Sequence, residues 1–580
     1  MKNTWSILKI LISSPKAGIA SDVFLINQQT VSDPKTIADG FNNYFVNVGP
    51  NLASQIPDLP ISHHDYMPEC NLDNMFLMPI VEKELLDITN AFVIKRSVGA
   101  DDLSSRVIKD TITSISAPLC DIFNKSYSTG CFPDQLKIAK VIPIFKNDNP
   151  QLFNNYRPIS VLNFFSKLLE RLTYNRLKSF IWRHLSNNQF GFRDKYSTYM
   201  ALTLLYDKIS KNCESGNPSV GIFLDLSKAF DTINHEILLS KLNNYGIRGL
   251  ANDWFRSYLS GRLQFVKFKD INSSYLEVTC GVPQGSILGP LLFILYINDI
   301  SNSSNILNFI LFADDTNVFH SDPNPVSLSN TVNTELQKVM KWFAVNKLSI
   351  NLKKTHYMVF GPNAKSDLVH LNSISRVTVT KFLGVLIDRN LTWHDQILNV
   401  VKKVSKAIGI LSRIRRLLPT SALTTIYSSI VLPHLQYCNI VWGNTYPTRL
   451  EPLYLLQKRA MRIIHNSDFR AHSAPLFRIS KQLNIYDINI HQTASFMFQF
   501  INNTLPPGLE FSFISRTNFH RYATRSTDDF IIPHHSTRLR SFAISVSGPK
   551  IWNSLDSAIK QLPDIKSFRK KFKLSMYSRY

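Results

Sequence analysis

Three aspartates of the sequence follow apolar runs, where a carboxylate is unusual. Asp225 directly follows the run 222–224 (IFL), and Asp314-Asp315 directly follow the run 309–313 (FILFA). A carboxylate that is partly withdrawn from water is costly unless it is paired or bound to a metal, so we expect partial burial and a bound cation. Adjacent carboxylates repel each other until divalent cations hold them together. Two such ions about 3.5–4 Å apart carry out phosphoryl transfer, and the three acids suggest this chemistry.

Each acidic segment also has an ordinary structural explanation. Turns favour Asp, so Asp314-Asp315 could close a hairpin without any further role, and one Asp at a strand end is equally ordinary. A third segment, 281–286 (GVPQGS), places two glycines and a proline before an apolar stretch. Its backbone can approach a flat ligand, and Gln284 offers an amide to a nucleotide or template, although the loop could simply lead into a helix. The three segments together favour a nucleotide site.

The elements that must position these residues alternate between strands and helices. Buried-strand patterns cover Ser219 to Leu226 and, as two short strands with the acid pair at their turn, Asn308 to His320. Further strands are predicted at 140–145 and 358–360, a β-rich stretch at 530–546, and helices at 37–48, 166–182, 231–243, 286–297, 334–343 and 397–411. This order predicts an α+β fold with a sheet that helices cover on one face.

The charge balance indicates an anionic partner. Lys and Arg number 65 against 42 Asp and Glu, which gives a formal net charge of +23. Such a surplus repels itself in the folded state, so nucleic acid is the favoured partner and an anionic membrane surface the alternative. A basic surface that only faces solvent is the plain explanation. The segment 397–416 is apolar on one side and basic on the rest, so it could lie against a phosphate backbone or face water.

Composition and cysteine spacing exclude several classes of protein. With 580 residues, 44% of them hydrophobic and 18% charged, the chain is globular and too long for one core. The six cysteines are scattered without a C-x-x-C pair, which argues against a zinc ribbon or a disulfide framework. No signal peptide is predicted, and the longest apolar stretch, 290–297, is too short to cross a membrane. We therefore expect an intracellular protein of the nucleus, the cytoplasm or both.

The acidic segments and their neighbours resemble the reverse transcriptases of non-LTR retrotransposons, the LINE class, and within it the jockey-like branch. Residues 225–231 (DLSKAFD), 281–290 (GVPQGSILGP) and 312–315 (FADD) resemble motifs A, B and C of that family. The other similar segments are 130–133 (GCFP), 143–146 (PIFK), 156–160 (YRPIS) and 189–193 (QFGFR) of the fingers, 351–355 (NLKKT) of motif D, 381–384 (KFLG) of the primer grip and 552–555 (WNSL). The resemblance covers most of the chain, and the joint pattern is highly specific.

The resemblance implies an α+β right-hand polymerase with fingers, a palm built on an antiparallel sheet and a helical thumb, followed by a mainly helical C-terminal region. The boundaries that it implies are a connector at 1–85, fingers and palm at 86–390, a thumb at 391–465 and a basic C-terminal region at 466–580. The function would be RNA-directed DNA polymerisation, in which dNTPs are joined to a primer 3′-hydroxyl. Its partners would be an RNA template, a DNA primer or target and dNTPs, with no membrane.

The resemblance also assigns roles to single residues. Asp225 and Asp314 would bind two Mg²⁺ ions, for which Mn²⁺ can substitute, and Asp315 would complete the site. Phe230 would exclude a 2′-hydroxyl, although an aromatic residue there could be ordinary core. Gln284 and Gly285 would contact the incoming nucleotide.

Five further positions carry roles that the resemblance implies. Lys146 and Arg157 would neutralise the triphosphate, because both are cations of the fingers motifs. Lys354 would donate a proton to pyrophosphate, with Lys353 as a competitor for that role. The primer grip would consist of Phe382, Leu383 and Gly384.

The sequence departs from the family pattern in two respects. Phe312 replaces the commoner Tyr of motif C, a change that we expect to be tolerated. Family members usually carry an amino-terminal endonuclease, and we expect this chain to lack it, together with any ribonuclease H carboxylate set or Cys/His knuckle. A group II intron maturase or a telomerase-like polymerase is one alternative, and a catalytically inactive, element-derived RNA-binding protein is another. Motif wording argues against the first alternative, and the retained acids and Gln284 argue against the second.

Overall fold

The computed structural model describes residues 22–26, 29–361, 369–509, 511, 513–516 and 529–580. The chain divides into two compact units, each built from separate stretches of sequence. The first unit comprises Met1–Phe192, Asp225–Asn305 and Glu335–Asn351, and the second comprises Arg193–Leu224, Ile306–Thr334 and Leu352–Tyr580. No described helix is both long and apolar enough to cross a membrane.

Helices and strands are numbered here in chain order. The strands are β1 (Phe24–Ile26), β2 (Gln29–Val31), β3 (Ala139–Phe145), β4 (Tyr156–Leu162), β5 (Ser219–Leu224), β6 (Arg262–Phe268), β7 (Ile271–Asn272), β8 (Leu276–Val278), β9 (Asn308–Phe312), β10 (Asp315–Ser321), β11 (His356–Phe360), β12 (Ser375–Arg376), β13 (Val379–Phe382) and β14 (Val385–Asp388). The helices up to the last strand are α1 (Pro34–Ser54), α2 (Glu82–Ala91), α3 (Ser105–Thr129), α4 (Phe164–Ile181), α5 (Thr198–Glu214), α6 (His235–Asn244), α7 (Leu250–Leu259), α8 (Gly289–Tyr296) and α9 (Pro325–Val345). The helices after it are α10 (His394–Ile414), α11 (Thr420–Ile430), α12 (Leu432–Gln436), α13 (Asn439–Trp442), α14 (Pro447–Ile464), α15 (Ala474–Ile479), α16 (Ile485–Ile501), α17 (Arg538–Ser541), α18 (Ile544–Asn553), α19 (Ser557–Lys560) and α20 (Ile565–Met576).

The first unit contains a sheet in the order β4-β3-β6-β7, with β8 added on β6. β3 runs antiparallel to β4 and parallel to β6. Helix α1 packs against this sheet, and its Phe41 lies in an aromatic cluster with Phe24, Tyr156 and Phe268. Phe41 is fully buried, with ring centroids 4.9 Å from Phe24 and 5.0 Å from Tyr156. Buried aromatic pairs of this kind add about 0.5–1.5 kcal/mol each beyond their area, so α1 is part of the core.

The second unit contains a sheet in the order β12-β11-β5-β10-β9. β5 lies at its centre, pairs antiparallel with β10 and β11, and is buried along its whole length. This explains why residues 219–224 read as a continuous apolar run: both faces of the strand are covered. The predicted α+β class is confirmed, since both units combine sheets with helices.

Several predicted elements are confirmed, with shifted ends. The helices predicted from residues 37, 166, 334 and 397 correspond to α1, α4, α9 and α10. The helix predicted from Asp231 begins only at His235, because the Asn234 side chain accepts a hydrogen bond from the Ile237 amide (3.1 Å) and caps the helix there.

The predicted β-rich stretch at 530–546 is wrong. Phe530 forms one isolated bridge with Ser515, and the chain then enters α17 and α18. Strand-forming residues are common in this stretch, but the Thr537 hydroxyl accepts from the Arg540 amide (3.2 Å) and starts a helix instead.

Candidate active site

Two of the predicted acids adjoin, along the chain, the last paired position of β5 and β10. The pairing of β5 with β10 ends where Leu224 lies opposite Thr316. Asp225 is the residue after Leu224, and Asp315 is the residue before Thr316. Asp225 and Asp315 are therefore each one residue away, along the chain, from the paired residues Leu224 and Thr316. Antiparallel partners such as these two have Cα atoms about 4.5–5.5 Å apart.

Strand β11 brings the motif D lysines to this end as well. It pairs with β5 on the side away from β10, with His356 opposite Phe223. Lys354 precedes His356 by two residues and is exposed, as is Lys353. Because the two strands are antiparallel, residues before His356 extend past the same end of β5 that Asp225 follows.

Asp314 occupies a tight turn between β9 and β10. Phe312 pairs with Asp315, so only Ala313 and Asp314 connect the strands. Ala313 has a φ of +56°, a left-handed conformation that costs an L-residue about 1–2 kcal/mol and that often occurs at functional sites. The expected partial burial is confirmed for Asp225, which is half-buried, but is wrong for Asp314 and Asp315, which are exposed. Asp314 lies in the turn and Asp315 at the first position of β10, so both acids stand at the end of the strands that bury their apolar neighbours.

In the first unit, the segment after β5 is held by backbone bonds. The Asp225 carbonyl accepts from the Asn351 amide (2.8 Å), and the Ser227 amide donates to the Ser349 carbonyl (2.9 Å). Leu226 forms a bridge with Ile350. The backbone that carries Asp225 is therefore fixed on the chain just before motif D.

The 281–286 loop lies against the segment that follows Asp225. The Val282 amide donates to the Phe230 carbonyl (2.9 Å), and the Ser160 amide of β4 donates to the Gln284 carbonyl (2.8 Å). Gly285 has a φ of +132°, and a Cβ on it would lie 2.4 Å from the Ser160 carbonyl oxygen. Only glycine fits this position, which explains the second glycine of the motif.

Gln284 is bound to an acid to which the sequence assigned no role. Its side-chain nitrogen donates to both carboxylate oxygens of Asp231, at 2.8 and 2.9 Å. Burial raises the pKa of Asp231 to about 6, while the Gln284 hydrogen bond and the Lys228 charge oppose the rise. With its nitrogen engaged, the amide of Gln284 is held with a defined orientation.

Phe230 is held by two other aromatic rings of the first unit. It stacks on Phe293 of α8, with centroids 4.6 Å apart, and meets Phe192 edge-on at 6.1 Å. The residue as a whole is half-buried, and the two ring contacts fix its position.

Glu170 of α4 binds the backbone just before α8, next to the 281–286 loop. It is fully buried and accepts from the Ile287 amide (2.6 Å) and from the Tyr258 hydroxyl (3.0 Å). Burial raises the pKa of Glu170, while these donors and the charge of buried Arg262 favour the ionised form. Its acidic side chain on the otherwise apolar face of a predicted helix was the signal in the sequence that could have identified it.

We expect Glu170→Gln to lower the free energy of unfolding by about 1–3 kcal/mol. The side-chain nitrogen of Gln is itself a donor, so either the Ile287 amide or the Tyr258 hydroxyl would lose its acceptor. The loss of charge would also leave Arg262 buried without compensation. Urea denaturation measures the change. Tyr258→Phe, which removes a single donor, serves as a graded control and should cost about 0.5–1.5 kcal/mol. A Glu170→Gln protein as stable as the wild type would contradict the anchoring role.

The remaining predicted residues lie in two hairpins. In the first unit, Arg157 of β4 pairs with Ile144, and the Lys146 amide donates to the Asn155 carbonyl (2.9 Å), so both fingers cations belong to the β3–β4 hairpin. Both are exposed.

In the second unit, Leu383 and Gly384 form the two-residue turn between β13 and β14, with φ values of +46° and +80°. Phe382 packs on Phe223 of β5 (5.4 Å), and the Leu383 carbonyl accepts from the Tyr437 hydroxyl (2.8 Å). The predicted primer grip is thus a hairpin that packs on the central strand and accepts a hydrogen bond from Tyr437.

Among the described residues, no group of three or more His, Cys, Asp or Glu side chains is placed to hold a metal ion. The donor chemistry of the three acids still suits a hard cation, since Mg²⁺ prefers carboxylate oxygens and is usually held by one or two carboxylates together with substrate phosphates. The acids fit the ion by type and by strand position.

Comparisons with known proteins agree with the motifs. Residues 144–387 match the family described as reverse transcriptase (RNA-dependent DNA polymerase). The chain is 26% identical over 442 residues to the probable RNA-directed DNA polymerase from transposon BS of Drosophila melanogaster, which covers 72% of this chain and 47% of that protein. It is 28% identical over 404 residues to the RNA-directed DNA polymerase from mobile element jockey of the same species, covering 67% and 44%.

A third relative comes from a different element. The Pol polyprotein from type-1 retrotransposable element R1 of Bradysia coprophila is 23% identical over 447 residues, covering 73% of this chain and 42% of the relative. The chain spans about half the length of the curated relatives that it matches. Residues 144–387 thus match a reverse transcriptase domain, and over 404–447 residues the chain is similar to the proteins of the transposon BS, jockey and R1 elements.

Proposed function

We propose that this chain is an RNA-directed DNA polymerase that joins dNTPs to a primer 3′-hydroxyl. One observation supports the proposal most: Asp225 follows β5, Asp315 begins β10 and Lys354 precedes β11 in the chain, these three strands are paired, and all three residues fall within the reverse transcriptase match. The acid-bearing turn is exposed, as a site that receives large substrates requires. The substrates would be an RNA template, a DNA primer and dNTPs.

The proposed architecture is a right hand. The sheet around β5 would be the palm, the β3–β4 hairpin would belong to the fingers, and helices α10 to α14 would form the thumb. On this assignment the proposed boundaries are 86–390 for fingers and palm, 391–465 for the thumb and 466–580 for the C-terminal region, after a connector at 1–85. Helix α10 supports the thumb assignment, because it buries Val400, Val404 and Leu411 while Lys402 and Lys403 stay exposed.

Asp225, Asp314 and Asp315 would hold two Mg²⁺ ions, with Mn²⁺ as a substitute. When bound, such ions activate the attacking hydroxyl and stabilise the leaving group. The exposed turn gives Asp314 and Asp315 access to ions from solvent, and the backbone bonds of Asp225 give it a fixed base.

The other side chains would bind and orient the nucleotide. Lys146 and Arg157 would offset the charge of the triphosphate, and Arg can do so with two parallel hydrogen bonds. Gln284, fixed by Asp231, would contact the nucleotide through its carbonyl oxygen, and Gly285 would let the backbone approach. Phe230 would close the space beside the sugar.

Two further contacts would complete the proposed cycle. Lys354 would give a proton to the departing pyrophosphate, because it lies exposed beyond the same end of β5 as Asp225. Phe382, Leu383 and Gly384 would position the primer end through their turn.

Primer extension on an RNA template tests the proposal directly. Purified chain with a DNA primer, Mg²⁺ and all four dNTPs should extend the primer, and removing dNTPs or metal should stop the reaction. A folded protein that binds the RNA and never extends the primer would instead be an inactive, element-derived RNA-binding protein.

We expect kcat/KM for dNTPs to rise with pH through about 6, because Asp231 accepts the Gln284 amide best when ionised. Asp231→Asn should lack this step and lose about 10- to 150-fold in kcat/KM above pH 7, since a hydrogen bond to a charged group contributes about 1.5–3 kcal/mol. Profiles from about pH 5 to 8 measure both effects. Asp253→Asn is the control, and an unchanged step in Asp231→Asn would contradict this role.

The raised pKa of Asp231 affects the stability of the fold in the direction opposite to its effect on activity. Because the folded pKa of Asp231 lies above its ordinary value of 3.8, its contribution to stability is complete below that value and is lost as pH rises through about 6. Activity and stability should therefore move in opposite directions in this range.

A further inference from the structure

The helix α20 carries a stripe of cations on an exposed side. Lys566, Arg569, Lys570 and Lys573 follow the spacing i, i+3, i+4 and i+7, which places them on one side of a helix. Lys566, Arg569 and Lys570 are exposed, and Lys573 is half-buried. At 1.5 Å per residue the stripe is about 10 Å long, so it can meet more than one phosphate of a nucleic acid strand.

The opposite side of α20 is fixed in the core of the second unit. Phe568 and Phe572 are buried. Phe568 lies 4.5 Å from Phe498 of α16, between ring centroids, and Phe572 stacks on His491 at 5.8 Å. The cations are therefore presented by a rigid helix rather than by a mobile tail.

Nearby acids do not neutralise the stripe. Residues 529–580 contain ten Lys and Arg against three Asp; each Asp bonds another group, and Asp564 also attracts Lys566. Asp529 pairs with Lys560 (2.9 Å), Asp556 caps α19 through the Ala558 amide (3.0 Å), and Asp564 caps α20 through the Ser567 amide (3.0 Å). Over the described residues, no carboxylate forms an ion pair with any of the four stripe cations.

A polar cavity opens beside the stripe. It has a volume of about 270 Å³. Among the residues that line it are Tyr199, Gln436, His491, Gln492, Gln499 and Arg569. Aromatic rings and amides next to a guanidinium suit a nucleotide, whose base stacks and hydrogen-bonds while its phosphate meets the cation.

We propose that Lys566, Arg569, Lys570 and Lys573 bind the phosphate backbone of a nucleic acid strand, independently of base sequence. A membrane surface fits less well, because an interfacial helix needs an apolar face available for lipid, and the apolar face of α20 is buried in the protein. This surface lies outside the residues assigned to polymerisation, so it would bind whether or not the chain polymerises.

Binding of single-stranded RNA and DNA of the same sequence to the full chain tests the proposal. The variant carries Lys566→Gln, Arg569→Gln, Lys570→Gln and Lys573→Gln, and fluorescence anisotropy follows Kd between about 50 and 200 mM salt. We expect Kd to rise at least about tenfold at low salt, and the slope of log K against log salt to fall by about 3, since each phosphate contact on a single strand contributes about 0.7. RNA and DNA should show the same change if only the backbone is recognised.

The control variant removes the same number of exposed charges elsewhere, through Lys83→Gln, Lys95→Gln, Lys125→Gln and Lys211→Gln. Its salt slope should fall by less than about 1. A milder variant, Lys566→Gln with Lys570→Gln, guards against misfolding because both side chains are exposed, and it should show about half of the full effect. Equal losses in the stripe and control variants would overturn the proposal, as would stripe variants that bind RNA normally but lose binding to vesicles of anionic phospholipid.

Discussion

Replacing Asp314 and Asp315 together with Ala should reduce primer extension on an RNA template by at least about a thousandfold. Metal ions stabilise the transition-state charge of phosphoryl transfer by several kcal/mol, and each 1.36 kcal/mol corresponds to a factor of ten in rate. Both acids are exposed, Asp314 in the two-residue turn and Asp315 at the first position of β10, so removing their carboxylates should leave the sheet intact. The loss should therefore appear in the rate of extension.

Controls separate loss of chemistry from loss of structure. Asp270→Ala removes an exposed acid from another hairpin, where it forms an ion pair with Lys267 at 3.6 Å. Such a pair contributes about 0–1 kcal/mol, so this variant should extend primers normally. RNA binding and thermal unfolding of the double variant should match those of the wild type. A double variant that still extends primers at more than about a tenth of the wild-type rate would contradict the proposed metal site.

Much of the fold could be predicted because local patterns specify it. The run at 220–224 has no polar face and is short, which favours a strand covered on both sides, and β5 is that strand. The turn at Asp314 was predictable because two apolar runs flank two adjacent acids. The exposure of those acids was not predictable, since it depends on how far the turn projects beyond the neighbouring strands.

Contacts between distant segments could not be predicted from periodicity. Glu170 and Ile287 are separated by 117 positions, and Asp231 and Gln284 by 53. Nothing local in either segment indicates its partner, although a lone acid on an apolar helix face marks Glu170 as a residue in need of one. The strand prediction for 530–546 failed for a local reason instead. A helix cap formed by the Thr537 side chain outweighed the strand-forming composition of this stretch.

Phe230→Val should raise the use of ribonucleotides relative to deoxyribonucleotides by about 10–100-fold. A 2′-hydroxyl pressed against a fixed ring is a case of overpacking, which costs about 1–3 kcal/mol, or about one to two factors of ten in rate. The Phe293 and Phe192 rings hold Phe230 in place, so the ring cannot yield to the extra oxygen. Val removes the ring while keeping an apolar side chain.

The measurement is the ratio of kcat/KM for each dNTP to that for the matching NTP on one RNA template. A ratio is insensitive to the fraction of active protein, which matters because the loss of stacking on Phe293 also lowers stability. Phe230→Tyr keeps the ring and should keep the discrimination, so the pair of variants separates ring size from general damage. If Val and Tyr discriminate as the wild type does, the ring of Phe230 serves only the packing against α8, and another group must exclude the 2′-hydroxyl.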